Sequence, residues 1–314
     1  MALRVALVEA STGEAWVVES PEGLRRLSGT YTSTRDFFEN GGEADASKSI
    51  SDGVVVEATR FLSPVTRDAK FVCQATNYAD HIREVGGDPS EVVNNIIFTK
   101  ASSCIVPADA DVIRPAHVKL LDYEIELGLV LKTGFDAPVT VTAETLGDWV
   151  GGLVIVNDIT ARDVQVSHTQ FHKSKSYRTF GPVGPWLVLP DATDLAKLFE
   201  LELMLRVDAE VRQNALAKEM IFKPVETLTE LSGIMDLAPG DLIATGTPAG
   251  VALAPPSAIK QALGGFLSLK KRFAIFLKGQ LARKEYLQPG QVMTASIRTA
   301  DGLLDLGEQK NLIR

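Results

Sequence analysis

The sequence predicts a β-rich α+β protein built on mixed or antiparallel sheet, and three observations carry that expectation. Its strong apolar segments are mostly short, four to nine residues, and end in Gly, Pro, Asp or Asn, the punctuation of strands and turns. Helical periodicity is confined to a few stretches that do not alternate regularly with the strands, so a doubly wound parallel sheet does not follow. Across 314 residues, 45% are hydrophobic and 23% charged, the balance of a folded globular chain. That length accommodates one large domain or two ordinary ones.

In chain order, VALVE, AWVVE and GVVVEA alternate with Gly, Ser and Asp clusters, which predicts a small N-terminal β-rich domain over residues 1–63. Residues Glu39 to Asp52 are almost wholly polar and small and read as a long loop or link. Ser63-Pro64-Val65 opens the second domain, residues 64–314. Its strand candidates are FVCQAT, IIFTKA, YEIELGLVL, GGLVIVND, GPWLVL, LELMLRVD, DLIATG and VMTASI. Helices are expected around Tyr78 to Val85, Ala161 to His172 and, after Pro224, Val225 to Met235, where Leu228, Leu231 and Ile234 recur at helical spacing. Residues 257–284 hold seven Lys and Arg and no acid. This segment carries +7, so the remainder sums to −15 against −8 overall. Leu263, Phe266, Leu269, Phe273, Phe276 and Leu277 punctuate it, which suits two amphipathic helices broken at Gly264-Gly265. A solvated basic face, a contact with a partner subunit and membrane attachment are the open readings of it.

Net charge and patterning exclude several classes. An excess of 40 Asp and Glu over 32 Lys and Arg argues against a nucleic-acid partner. No apolar run approaches the ~20 residues of a membrane span, and Glu9 and Glu14 interrupt the stretch where a signal peptide would be apolar. The expectation is a cytoplasmic protein without a membrane partner. Cys73 and Cys104 are too few for a disulfide framework and read as reduced core residues. No GxSxG elbow, Walker loop or GxGxxG turn occurs, and His168 and His172, four apart, lack the acid of an HExxH helix.

Four constellations carry chemistry. In Leu121-Asp122-Tyr123-Glu124-Ile125-Glu126-Leu127, Glu124 and Glu126 stand at i and i+2 of a strand-like segment and share a face. A solvated edge is one reading; a covered face would need a cation to neutralise both acids. Asp158 ends the apolar run GGLVIVND at a sheet rim. Three oxygen donors without Cys suit Mg²⁺, Mn²⁺ or Ca²⁺ better than Zn²⁺. His81 and Glu84 stand at i and i+3 on one expected helical turn, where they are either an exposed polar pair or a general base with its orienting carboxylate. Lys175 in FHKSKSY precedes the rigid turn GPVGPW, which suits holding a lysine against a pocket. DLIATGTPAGV runs a strand into a glycine-rich turn with N–H groups suited to an oxyanion or carboxylate, a weak signal alone.

Together and in this order, these motifs resemble the fumarylacetoacetate hydrolase family: NYxxHxxE, FxK at Phe98 to Lys100, DYExEL, NDxTARDxQ at Asn157 to Gln165, the KS before GPxGPW, and GTPxGV. The likeness runs from about Lys70 to Pro256 and resumes at Tyr286. It implies a mixed α/β, β-rich sandwich roll with a small N-terminal domain, assembled as a homodimer. It also implies Mg²⁺ or Mn²⁺ on Glu124, Glu126 and Asp158, with Lys100, Arg162, Gln165, Lys175 and Thr247 lining the substrate site. His81 and Glu84 then belong to a lid. The family's usual aromatic before the lysine and acid after it are replaced by His172 and Arg178, and 257–284 looks like an insertion. Arg178 is expected to pair with an acid at the rim or with a second substrate carboxylate, the former being preferred.

The function this implies is metal-dependent hydrolysis of a carbon–carbon bond in a small 1,3-diketo acid, acylpyruvate-like or fumarylpyruvate-like, through a metal-bound enolate. His81, oriented by Glu84, takes the proton of water, and Lys175 stabilises charge on a substrate oxygen. Decarboxylation, hydration or isomerisation of a 2-oxo acid uses the same intermediate, and a non-catalytic family member is the remaining reading.

Overall fold

The computed structural model describes residues 2–168, 170–254 and 268–314. Antiparallel strands β1 (Leu3–Ala10), β2 (Gly13–Ser20) and β3 (Gly23–Arg26) form a meander, with β4 (Ala58–Phe61) also on β1. They continue into β5 (Phe71–Ala75), β6 (Ile96–Lys100), β9 (Ile125–Leu131), β10 (Val150–Asn157), β13 (Leu187–Leu189) and β16 (Leu242–Ala244). The result is one ten-stranded sheet in the order β3-β2-β1-β13-β10-β9-β16-β5-β6, with β4 off this path. Its pairings are antiparallel except β5 with β16, so the expected mixed, β-rich class holds. Residues up to 63 join the same sheet through β1 and β13, which pair Leu3 with Leu189 and Val5 with Leu187.

A second, antiparallel sheet, β15 (Glu210–Leu216), β14 (Glu202–Val207), β17 (Val292–Arg298) and β18 (Asp305–Leu312) in that order, touches β9 and β10. Short ladders join β7 (Ile105–Val106) to β12 (Gly181–Pro182) and β8 (Leu121–Asp122) to β11 (Thr160–Ala161). Every residue of β9 and β10 is buried. These two strands are therefore covered on both faces, which is why they read as continuous apolar runs rather than as alternation. At Gly152 in β10 a Cβ would lie 2.2 Å from Leu187 Cδ1, so the glycine gives the Leu187 side chain of β13 the room it occupies.

Several local expectations are corrected. The polar stretch 39–52 is not a loop: α1 (Thr34–Glu39) ends in it and α2 (Gly42–Asp52) fills it. Helix α2 is held by small residues, Gly42, Ala46 and Ser49, buried on one side, and by Asp45, which accepts from Gly29 N (2.7 Å), Ser28 N (3.2 Å) and Tyr31 Oη (3.0 Å). Neither device has an apolar periodicity. GVVVEA is not a strand, because Val54 and Val55 are exposed and regular pairing begins only at Ala58. The expected helix 161–172 is two, α5 (Arg162–His168) and α6 (Phe171–Lys175), with Gln170 extended before the second. The other two helices stand, as α3 (Ala79–Glu84) and α8 (Pro224–Ser232); α4 (Leu146–Trp149) and α7 (Ala192–Ala196) are additional short ones.

Of the basic segment, residues 257–267 lie outside the described residues, including Gly264-Gly265, Leu263 and Phe266. The remainder forms α9 (Leu269–Gln280), with Ser268 accepting from Lys271 N–H as its cap. Phe276 and Leu277 pack on the core, while Lys270, Lys271, Arg272 and Lys278 are exposed. Leu269 and Ile275 are also exposed, so the packed edge is narrower than the whole Leu and Phe set. Cys73 and Cys104 are buried free thiols. Among the described residues no helix is long and apolar enough to cross a membrane.

Candidate active site

The register of β9 and β10 pairs Glu126 with Val156 and Ile125 with Asn157. Asp158 N–H donates to the Glu124 carbonyl at 2.8 Å, extending the ladder one step beyond both strands. Glu124, Glu126 and Asp158 are thereby brought to one sheet end, each offering an oxygen within 4.8 Å of the others. All three are at least 96% buried, so the solvated-edge reading falls. Glu124 precedes β9 rather than lying in it; its amide N–H donates to Asn157 Oδ1 at 3.1 Å.

Three cations meet these acids. Lys175 Nζ donates to Glu124, to Asp158 Oδ2 at 2.6 Å and to Thr160 Oγ1 at 2.8 Å. Lys100 Nζ donates to Asp158 Oδ1 at 2.5 Å and to the Phe180 carbonyl at 2.7 Å. Arg162 donates to Asp122 Oδ2 at 2.7 Å, to Gln165 Oε1 at 2.9 Å and to Glu124. Burial opposes charge on Glu124, but Arg162 and Lys175 outweigh it and hold the carboxyl below its usual range. For Glu126 burial and the charges of Asp158 and Glu124 act together and push the carboxyl well above it. Burial lowers and Asp158 and Glu124 raise the Lys175 ammonium, with a net upward shift.

Four buried acids, Asp122 included, thus face three buried cations, and Glu126, whose hydrogen bond is to Gly246 N–H at 2.9 Å, is the acid left without a cation. A cluster of hard carboxylate oxygens with one more acid than it has cations fits a divalent Mg²⁺, Mn²⁺ or Ca²⁺. It is the one group of three or more His, Cys, Asp or Glu that converges in this way among the described residues. His172 is exposed and its Nδ1 donates to the Thr99 carbonyl at 2.9 Å, while the His168 side chain lies outside the described residues.

The second unit is buried His81, whose Nδ1 donates to Glu84 Oε2 at 3.1 Å. His81 lies within electrostatic reach of the acid cluster, being among the groups that lower Glu124. Asn77 anchors the start of α3 by donating to the carbonyls of Phe222 (3.0 Å) and Thr245 (2.8 Å). The glycine-rich turn after β16 gives four of its amide donors to the protein's own acids. Gly246 N–H holds Glu126, Gly250 N–H reaches Glu84 at 3.0 and 3.1 Å, and Ala252 and Leu253 N–H hold Asp122 at 2.8 and 3.1 Å.

Of the residues expected to line a substrate site, Arg162 and Gln165 are together, and Lys100 sits against Asp158. Thr247 Oγ1 is taken up by the Ile125 carbonyl (2.9 Å) and Gln213 Nε2 (2.8 Å). Arg178 is exposed and forms no ion pair among the described residues, against the expected rim pairing. Asp122, Thr160 and Gln213 were not anticipated. Asp122 had a signal, since it continues the i, i+2 series of Glu124 and Glu126, and Thr160 had one as a fixed position of NDxTARDxQ; Gln213 had none.

Comparison with known proteins shows the family. An uncharacterised protein of Pyrococcus abyssi is 38% identical over 190 residues, 59% of this chain and 80% of that one. Bovine mitochondrial oxaloacetate tautomerase FAHD2A is 38% identical over 207 residues, 64% of this chain and 63% of that one. The solved fumarylacetoacetate hydrolase of Exiguobacterium antarcticum superposes with a TM-score of 0.74 at 29% identity, covering 99% of each chain. Residues 70–314 match the family model described as Fumarylacetoacetate (FAA) hydrolase C-terminal, and this chain belongs to the fumarylacetoacetate hydrolase family.

Proposed function

We propose that the protein hydrolyses the carbon–carbon bond of a small 1,3-diketo acid of the acylpyruvate type. The observation that supports this reading is the pair of buried His81 and half-buried Glu84, hydrogen-bonded to each other and tied to the Gly250 amide. A divalent ion held by Glu124, Glu126 and Asp158 would supply Lewis-acid polarisation of the keto-acid oxygens.

Glu84 keeps the proton of His81 on Nδ1, leaving Nε2 as the base. Nε2 takes a proton from water, whose oxygen attacks the distal carbonyl carbon. The bond to the methylene carbon breaks, one fragment leaves as a carboxylic acid, and the other takes back a proton from His81 as pyruvate. Lys175, already the donor to two of the three acids, stabilises negative charge on the reacting oxygen. Arg162 and Lys100 balance Glu124 and Asp158 and keep their carboxylates oriented.

Keto–enol tautomerisation or decarboxylation of a 2-oxo acid is the second reading, favoured by the relative named oxaloacetate tautomerase and needing no attacking water. A cytoplasmic homodimer acting on a small keto acid completes the proposal, on the strength of the family likeness. The test is product analysis with Mn²⁺ on acylpyruvates, oxaloacetate and 2-oxo-enedioates. Pyruvate and a carboxylic acid in equal amounts are expected; CO₂ release or enol–keto exchange without cleavage would replace hydrolysis by the second reading.

A further inference from the structure

Glu84 does not orient His81 unaided. Its carboxylate accepts from Gly250 N–H through both oxygens, and Gly250 is itself fixed from two other sides. The hydroxyl of Tyr123, a residue wholly buried between Asp122 and Glu124, donates to the Gly250 carbonyl at 3.1 Å. Against its Cα lies β15: a Cβ at position 250 would stand 1.9 Å from the Arg212 carbonyl oxygen. Gly250 has φ +108°, a conformation that glycine enters freely but does not hold without outside constraint.

We infer that Tyr123 is a positioning residue for the His81 base, acting through the Gly250 peptide and Glu84. The chain of contacts is Tyr123 Oη to Gly250 O, Gly250 N–H to Glu84, and Glu84 to His81 Nδ1. Tyr123 lies in the same short stretch as Glu124 and Glu126, so one segment presents two ligand carboxylates with its acidic residues and docks the base with its phenol. The aromatic ring fills the core, and the hydroxyl sets the turn that receives α3. The inference rests on the reading of His81 as the base.

Tyr123→Phe removes one oxygen and keeps the ring, so folding and the melting temperature in Mn²⁺ are expected to stay close to wild type. Losing one hydrogen bond that aligns the base should lower kcat for acetylpyruvate hydrolysis about 3–10-fold, with KM and the Mn²⁺-induced shift in melting temperature unchanged. In a His81→Ala background the same substitution should cost nothing further, because residues that act as a unit are non-additive. Backbone amides of residues 79–84 should exchange faster in Tyr123→Phe, a readout of docking that does not depend on turnover. Equal losses in wild-type and His81→Ala backgrounds, or unchanged exchange in α3, would overturn the role of Tyr123 and leave His81 as the base. Full activity in His81→Ala would instead overturn the base assignment, and the exchange result would then decide the docking by itself.

Discussion

The charge imbalance at the acid cluster makes a quantitative prediction for Glu126→Gln. Four buried acids face three buried cations, and the excess falls on Glu126, which is raised by burial and by the neighbouring Asp158 and Glu124. Gln keeps an acceptor for Gly246 N–H and cannot ionise. Removing one buried carboxyl whose ionisation the fold opposes is worth about 1–3 kcal/mol, and a chain of this size gains about 2 °C per kcal/mol. Metal-free Glu126→Gln should therefore melt a few degrees above metal-free wild type. The sign with pH follows from the raised carboxyl. Its contribution is fully present below the unfolded carboxyl value and is lost as pH rises through the folded one, so the gap between the two proteins widens with pH. With metal the order reverses: at 100 times its dissociation constant an ion stabilises wild type by about 2.7 kcal/mol, near 5 °C, while Glu126→Gln gains much less. Thermal melts after EDTA treatment, then with Mn²⁺, read both effects. A Mn²⁺ shift equal to wild type, or a metal-free variant less stable than wild type at neutral pH, would refute the charge assignment.

Other perturbations follow from the same contacts. His81→Ala should lower acylpyruvate hydrolysis about 10²–10⁴-fold with the Mn²⁺-induced melting shift retained, as assayed by pyruvate release. Lys175→Met leaves Glu124 and Asp158 short of a cation and should cost the metal-free protein about 3–5 kcal/mol, with a Mn²⁺ shift larger than that of wild type in the same melts. Asp45→Ala should cost about 1–2 kcal/mol in urea unfolding at pH 7, since it unties α2 from Ser28, Gly29 and Tyr31. Burial opposes the Asp45 charge but these donors outweigh it, so its carboxyl is lowered; the penalty is present above the unfolded value near ~3.9 and should fade as pH drops through the folded one.

Periodicity, turn residues and motif order were enough to read the β-rich mixed class, the eight main strand segments of residues 64–314, helices α3 and α8, the convergence of Glu124, Glu126 and Asp158, and the His81–Glu84 pair. These are local signals: β9 and β10 are apolar because both faces are covered, and strand-end acids and an i, i+3 pair are visible within single elements. What escaped is non-local. Helix α2 is stable because small residues pack closely and Asp45 reaches back to Ser28 and Gly29, a reward that only exists once β2 and β3 are in place. Strands β15 and β18 mix polar and apolar residues with little alternation, and their pairing is decided by β14 and β17. Burial of the acids, the split between a lowered Glu124 and a raised Glu126, and the commitment of the Gly246–Leu253 amides to Glu126, Glu84 and Asp122 were settled by tertiary structure alone. A carboxylate's environment depends on which distant cations and N–H groups the fold brings to it, and sequence spacing carries no record of those distances.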